Sequence, residues 1–277
     1  MIVPTPCSVK SSNNREWGIL PSIITDASAP PKTESMHVLI FMNLFLNNKD
    51  TIDFNEHYDQ WIFDLDNTIY DFNLGLFTKV SSRMTEYIKD FFDLNEVEAL
   101  TLQRNMYKKY VLTLRGLMIE KKIDPEPFLE FVHDVDFSEL DEDITLKTLL
   151  GKIKGKKSIY TNATFKHAEN ILKSMGIFEE FEIIFDIKDA NYIAKPDLNS
   201  YLMMKKKLGL NDNNISKSIF FEDTAKNLKP ASELGMSTAW IENDFNRKEA
   251  DILGEYINFT GSDIKSILSN MLKFEKR

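Results

Sequence analysis

With 277 residues, 43% of them hydrophobic, the chain can bury a substantial core as one large domain or two unequal ones. Charged residues make up 28%, and a formal net charge of -9 argues against a broadly basic surface, so nucleic acid and anionic membrane are not expected partners. The lone cysteine, Cys7, has no second thiol to pair with, which points to a reducing, cytoplasmic setting.

Residues 1–35 are rich in Ser, Pro, Thr and Asn without a steady period, and read as a disordered leader. The most apolar run, "MHVLIFMNLFL" (Met36–Leu46), is well short of the roughly 20 residues a membrane-spanning helix needs. No basic segment follows Met36 and no small-residue cleavage site follows the run, so a secretory signal is not expected either.

Regular signals begin at Tyr58. "DQWIFDL" has the length and composition of a buried strand. Four helical stretches follow. "NLGLFTKVSSRMTEYIKDFF" places Leu76, Val80, Met84, Tyr87, Ile88 and Phe91 at three- and four-residue spacings. "NEVEALTLQRNMYKKYVLTLRGLMIEKK" reads as one helix or a pair, capped by Asn95. "DPEPFLEFVHDV" has Asp124 as cap and Pro125 in its first turn, and "DEDITLKTLLGKI" is the fourth. Strands and helices then alternate. The strands are "KKSIYTNA", "FEIIFDI", "KSIFFED" and "STAWIE", and the intervening helices stop at Gly176, Gly209 and Gly235. Pro230 should kink the last of these helices or delay its start, and a final helix lies near "DIKSILSNMLKF". The alternation predicts an α/β fold with a parallel sheet, interrupted after its first strand by a helical insertion of roughly 80 to 90 residues.

Ligands of such sheets bind beyond the carboxyl ends of the strands, and four junctions there are polar. The first strand ends in Asp64, Asp66 and Thr68, and "SIYTNA" in Thr161 and Asn162. Lys195 opens "KPDLN", and "IFFED" ends in Glu222 and Asp223. Each alone has an ordinary explanation: a solvated lysine, a helix cap, or acids at a helix start. An EF-hand reading of "DLDNT" fails, because Thr68, Ile69 and Gly75 stand where that loop needs Asp or Asn, Gly and Glu. Brought to one edge, the carboxylates and the lysine suit a hard divalent cation together with a phosphate.

In this order, "DLDNT", "YTNA", "KPD" and "FFEDTAKNL" resemble the four motifs of the haloacid dehalogenase-like (HAD) hydrolase superfamily. "DLDNTIY", "YTNATFKHAENILKSMGI", "YKKYVLTLRGLM" and "VHDVD" resemble its pyrimidine 5'-nucleotidase branch, and the likeness covers about Tyr58 to Glu242. The resemblance implies a Rossmann-like parallel sheet with helices on both faces, formed by 36–72 and 155–277, and an α-helical cap over 73–154. It implies a Mg2+-dependent phosphatase in which Asp64 attacks phosphorus and Asp66 first protonates the leaving oxygen and then deprotonates water. One Asp64 oxygen, the Asp66 backbone carbonyl and Asp223 would hold the metal, with Glu222 accessory. Thr68, Thr161, Asn162 and Lys195 would bind the phosphate. An acid at position 66 favours phosphate-ester over carbon–halogen chemistry.

Two departures stand out: Val111 occupies a position usually Gly in the branch, so the cap helix is expected to run straighter there, and Glu222 replaces an Asp. Tyr107, Tyr110, Thr113, Arg115 and His133 are the cap candidates for contacting the leaving group, although tyrosines at this spacing more often pack in a core. The expected substrate is a small phosphorylated metabolite, a pyrimidine nucleoside monophosphate such as UMP or CMP. The alternatives are a phosphoglycolate or sugar-phosphate phosphatase, a phosphomutase, or a non-enzymatic binding protein on the same fold.

Overall fold

β1, Gln60–Phe63, is buried along its whole length and pairs in parallel with a neighbour on each side. It is the hub of the computed structural model, which describes residues 53–243, 246 and 256–273. The leader (1–35), Cys7 and the run Met36–Leu46 lie outside the described residues.

From β1 the chain passes through α1 (Leu76–Phe91), α2 (Glu96–Tyr110), α3 (Thr113–Gly116), α4 (Pro125–His133) and α5 (Ile144–Lys152). It then alternates β2 (Lys156–Tyr160), α6 (Phe165–Ser174), β3 (Ile183–Phe185), α7 (Leu198–Lys207), β4 (Ser218–Glu222), α8 (Ala225–Glu233) and β5 (Ser237–Ile241), and ends with β6 (Phe259–Gly261) and α9 (Ile264–Lys273). The sheet order is β3-β2-β1-β4-β5-β6, all parallel. From β1 the chain steps outward to β2 and β3, then crosses back from β3 to β4 on the other side of β1. That topological switch opens a crevice at the carboxyl ends of β1 and β4.

The apolar run of β1 follows from burial on both faces. Trp61 and Phe63 join Ile159 and Phe221 in one core cluster, with Phe63 and Phe221 stacked at 4.7 Å. Ile62 points the other way, to Tyr160, Phe220 and Trp240. Helices α5, α6 and α9 cover the first face, and α7 and α8 the second. The expected stops after α6 and α7 are present, with Gly176 and Gly209 at φ +67° and +69°, a region costly for side chains with a Cβ.

Helices α1 to α4 build a third cluster of their own from Val80, Ile88, Met106, Leu114, Phe128 and Val132, joined by Ile187 and Ala194 from the sheet side. Helix α5 is different. It lies within the expected cap span of 73–154, yet Leu146, Leu149 and Leu150 pack with the sheet. α2 begins with a capping box between Asn95 and Glu98, as expected of Asn95. It does not run straight on. Val111 sits at φ +67° and breaks the helix ahead of α3, an uncommon conformation for a β-branched residue. α8 starts at Ala225 and includes Pro230, so the proline does not delay it. The edge strand β6 was not anticipated, because three residues reading Phe-Thr-Gly carry no strand signal. No helix among the described residues is long and apolar enough to cross a membrane.

Candidate active site

The last backbone bond of the β1 ladder is made by Asp64, whose N–H donates to the Phe221 carbonyl at 2.9 Å. Its carboxylate is thereby fixed at the strand end, and the residue is only 6% exposed. Lys195 comes from the loop before α7 and is 2% exposed, not solvated as a lysine beside a proline ordinarily would be. Its ammonium donates to Asp64 Oδ1 at 2.5 Å, Glu222 Oε2 at 2.7 Å and the Tyr160 carbonyl at 2.9 Å, which uses all three protons. The backbone N–H of Lys195 donates to Asn162 Oδ1 at 2.9 Å, so the strand end at Asn162 sets where the lysine enters.

Asp64, Glu222 and Asp223 each present an oxygen within 4.8 Å of the others. Burial and the Glu222 charge push the Asp64 carboxyl up to about 7 against the opposing pull of Lys195. Burial, Glu222 and Asp64 likewise hold Asp223 well above the usual carboxylate range. Burial alone would lower Lys195, but Asp64 and Glu222 outweigh it and hold the ammonium above its ordinary value. Three carboxyl groups face one ammonium, so full ionisation of the cluster calls for a further cation, and Asp64 and Asp223 hold their protons more tightly for that reason. An all-oxygen set of this kind fits Mg2+. Glu222 spends its oxygens on Lys195 and on the Thr224 N–H (3.2 Å), which suits an accessory place. Trp240 Nε1 and Asn246 Nδ2 both donate to the Asp223 carbonyl, at 2.7 and 2.6 Å, and fix that loop.

Asp66 is held separately. Its Oδ1 accepts from Tyr70 Oη at 2.7 Å and contacts His167 Nε2 at 3.0 Å. Burial works to raise this carboxyl, but His167 and Tyr70 outweigh it and keep Asp66 below its usual value. His133 lies against His167 with ring centroids 4.4 Å apart, and its Nδ1 is 3.1 Å from Thr164 Oγ1. Burial and His167 push His133 down to about 3.

The structure brings Asp64, Asp66, Thr161, Asn162, Lys195, Glu222 and Asp223 into one cleft of about 390 Å³. Thr68 does not reach it. That residue is 2% exposed, its hydroxyl has no partner among the described residues, and it lines a separate cavity with Tyr70 and Asp143. Of the five cap candidates only Tyr107 lines the cleft. Tyr110 donates to Glu120 (2.8 Å), Thr113 is buried against the Gln103 carbonyl (3.4 Å), Arg115 pairs with Asp197 (3.0 Å), and His133 backs His167. Helical periodicity places such residues on a face without saying which face looks toward the sheet edge.

Several cleft residues were missed in the sequence. Phe72, Phe77, Val111, Leu112 and Lys226 line it. Asn227 lines it too, 7% exposed, with its side-chain oxygen unpartnered among the described residues. Asn227 lies within "EDTAKNL", in the first turn of the helix that follows Asp223. Tyr70 closes the turn that Asp66 opens, and His167 gave no signal beyond its nearness to a strand end.

A family model described as haloacid dehalogenase-like hydrolase matches residues 59–235. Phosphate metabolism protein 8 of Saccharomyces cerevisiae is 29% identical over 197 residues, which cover 64% of this chain and 59% of that relative. The chain thus spans about three fifths of that relative's length. Among solved structures, a HAD phosphatase from Thermococcus onnurineus superposes with a TM-score of 0.54 at 16% identity, covering 79% of this chain and 100% of that one. A HAD-hydrolase of Bacillus subtilis, bound to magnesium, gives a TM-score of 0.50 at 14% identity, covering 78% and 99%. At these identities the two structures share the fold.

Proposed function

The chain belongs to the haloacid dehalogenase-like hydrolase family, and from that membership we propose that it is a Mg2+-dependent phosphomonoester phosphatase acting on pyrimidine nucleoside 5'-monophosphates. The observation that carries the phosphatase reading is the shared cleft of Asp64, Asp66 and Lys195 beside the acidic cluster. A nucleophile, an acid/base group and a buried cation there serve one phosphorus.

Asp64 attacks phosphorus in line and the bond to the leaving oxygen breaks, leaving an aspartyl-phosphate. Lys195 already holds Asp64 Oδ1 and so orients the carboxylate for attack while offsetting its charge. Asp66 gives its proton to the leaving alkoxide. A phosphate entering beside it raises its proton affinity, since a like charge disfavours the ionised form. Asp66 then takes a proton from the water that attacks phosphorus, and Asp64 is regenerated with release of phosphate. Asp64, Asp223 and the Asp66 carbonyl would hold Mg2+, which when bound supplies positive charge against the clustered carboxylates and the substrate phosphate. Thr161 and Asn162 serve the phosphate oxygens.

Helices α1 to α4 act as the cap in this reading, and α5 belongs with the sheet. A nucleotide substrate is supported by the ring-bearing wall of Phe72, Phe77 and Tyr107, which offers stacking area to a planar base, and the pyrimidine choice follows from the resemblance of "YKKYVLTLRGLM" and "VHDVD" to the nucleotidase branch. A panel of UMP, CMP, AMP, phosphoglycolate and glucose phosphates with Mg2+ tests it. Faster turnover of UMP and CMP is expected. Equal rates on AMP would remove the pyrimidine assignment, and a preference for phosphoglycolate or sugar phosphates would replace it.

A further inference from the structure

Among the described residues, the Asp66 side chain makes its hydrogen bonds through one oxygen. Tyr70 Oη and His167 Nε2 both meet Oδ1, at 2.7 and 3.0 Å. Oδ2 has no hydrogen-bond partner among the described residues, and Asp66 lines the cleft. Both partners are deeply buried, Tyr70 at 3% and His167 at 1% exposure. Neither lines the cleft itself, so neither touches substrate.

The clamp is itself anchored. His167 stands in the first turn of α6, where its N–H donates to Thr164 Oγ1, the helix cap, at 3.3 Å. The same hydroxyl meets His133 Nδ1 at 3.1 Å, and the His133 ring lies against that of His167. Phe137 approaches the His167 ring at 5.7 Å from another side. A buried imidazole packed on two sides keeps its Nε2 in one place.

We propose that His167 and Tyr70 are positioning residues that grip Asp66 by Oδ1, so that Oδ2 is presented to the leaving oxygen. The inference rests on the phosphatase reading and adds to it the residues that aim the proton-transfer group. A chain with two freely rotating bonds between backbone and carboxyl would otherwise present either oxygen in several directions. A displacement of about 1 Å at a reacting group costs on the order of a hundredfold in rate.

The test uses the dependence of the reaction on its leaving group. An alkoxide leaving from a nucleoside monophosphate needs a proton in the transition state, whereas p-nitrophenolate is stable enough to leave without one. kcat/KM covers the steps up to formation of the phosphoenzyme, so it isolates that proton transfer from later hydrolysis. Tyr70→Phe removes a single hydroxyl. His167→Leu removes the imidazole contact, and His167→Gln returns an amide nitrogen near the position of Nε2. Tyr70→Phe and His167→Leu are expected to lower kcat/KM for UMP about 10- to 100-fold, but that for p-nitrophenyl phosphate only a few-fold, with His167→Gln recovering most of the loss.

Equal losses on both phosphates, or no loss on UMP, in variants that melt like the wild type would overturn the clamp and leave the phosphatase reading intact. If His167→Leu misfolds, the Tyr70→Phe comparison decides alone. A wild-type chain that hydrolyses neither phosphate with Mg2+ present would overturn the phosphatase reading, and the clamp with it.

Discussion

At the strand ends, Asp64, Lys195 and Glu222 are held by bonds to one another and by the ladder that carries them. Along the inserted helices, Phe77 and Tyr107 reach the same cleft with 43% and 51% of their surface exposed. In the first group Lys195 and Glu222 spend all their polar side-chain atoms on protein partners, and Asp64 is held by one oxygen. The second has surface left over for a ligand. In the proposed function, rate and selectivity are therefore lodged in different halves of the molecule, and each half should answer to a different kind of substitution.

The largest separation is expected from Lys195→Met. It strips the cation from Asp64 and Glu222, so kcat/KM should fall by about 10²- to 10³-fold or more. Breaking a buried pair of this kind also destabilises by roughly 3–5 kcal/mol, to be read from urea denaturation without Mg2+. A variant that keeps both activity and stability would place the rigid half elsewhere.

Phe77→Ala and Tyr107→Ala act on the other half. Each removes about half a buried aromatic face from the bound state, on the order of 1 kcal/mol, so KM for UMP should rise about five- to tenfold at nearly constant kcat. Tyr110→Phe is the control. Its hydroxyl bonds to Glu120 and the residue does not line the cleft, so KM should not move. The smallest effect is expected at Val111, which holds φ +67° at the end of α2. Val111→Gly relieves that conformation and should stabilise the fold by roughly 1 kcal/mol, visible as a higher Tm. It also removes a cleft-lining side chain, so KM should rise slightly. A lower Tm would show that the lost packing outweighs the relieved strain.

The same division explains what was legible in the sequence. β1 delivers Asp64 to its carboxyl end and Asp66 to the turn just beyond, and parallel pairing then collects Thr161, Lys195 and Asp223 at the same edge. Those positions follow from chain direction alone. Arg115 and Thr113 were candidates because they lie on "YKKYVLTLRGLM", the string that resembles the nucleotidase branch, and both serve the protein instead. Arg115 ties α3 to Asp197 of the "KPD" loop, and Thr113 is buried against α2. Their orientation depends on the break at Val111, which side-chain sterics argue against and tertiary packing imposes. His167 was hidden for a related reason, since its partner Asp66 is 101 residues away in sequence. The burial of Lys195 could not be read locally either, because its two carboxylate partners are 131 and 27 residues distant.

The central claim is that Asp64 becomes covalently phosphorylated, and it can be observed directly. Asp66→Asn keeps the nucleophile but lacks the base for the hydrolytic step. With p-nitrophenyl phosphate and Mg2+ this variant should form the phosphoenzyme and accumulate it. Acid quenching, borohydride reduction and peptide mass spectrometry should then find homoserine at position 64, and none when Asp64→Asn is combined with it. Modification at another residue, or release of p-nitrophenolate with position 64 unmodified at every quench time, would contradict the account.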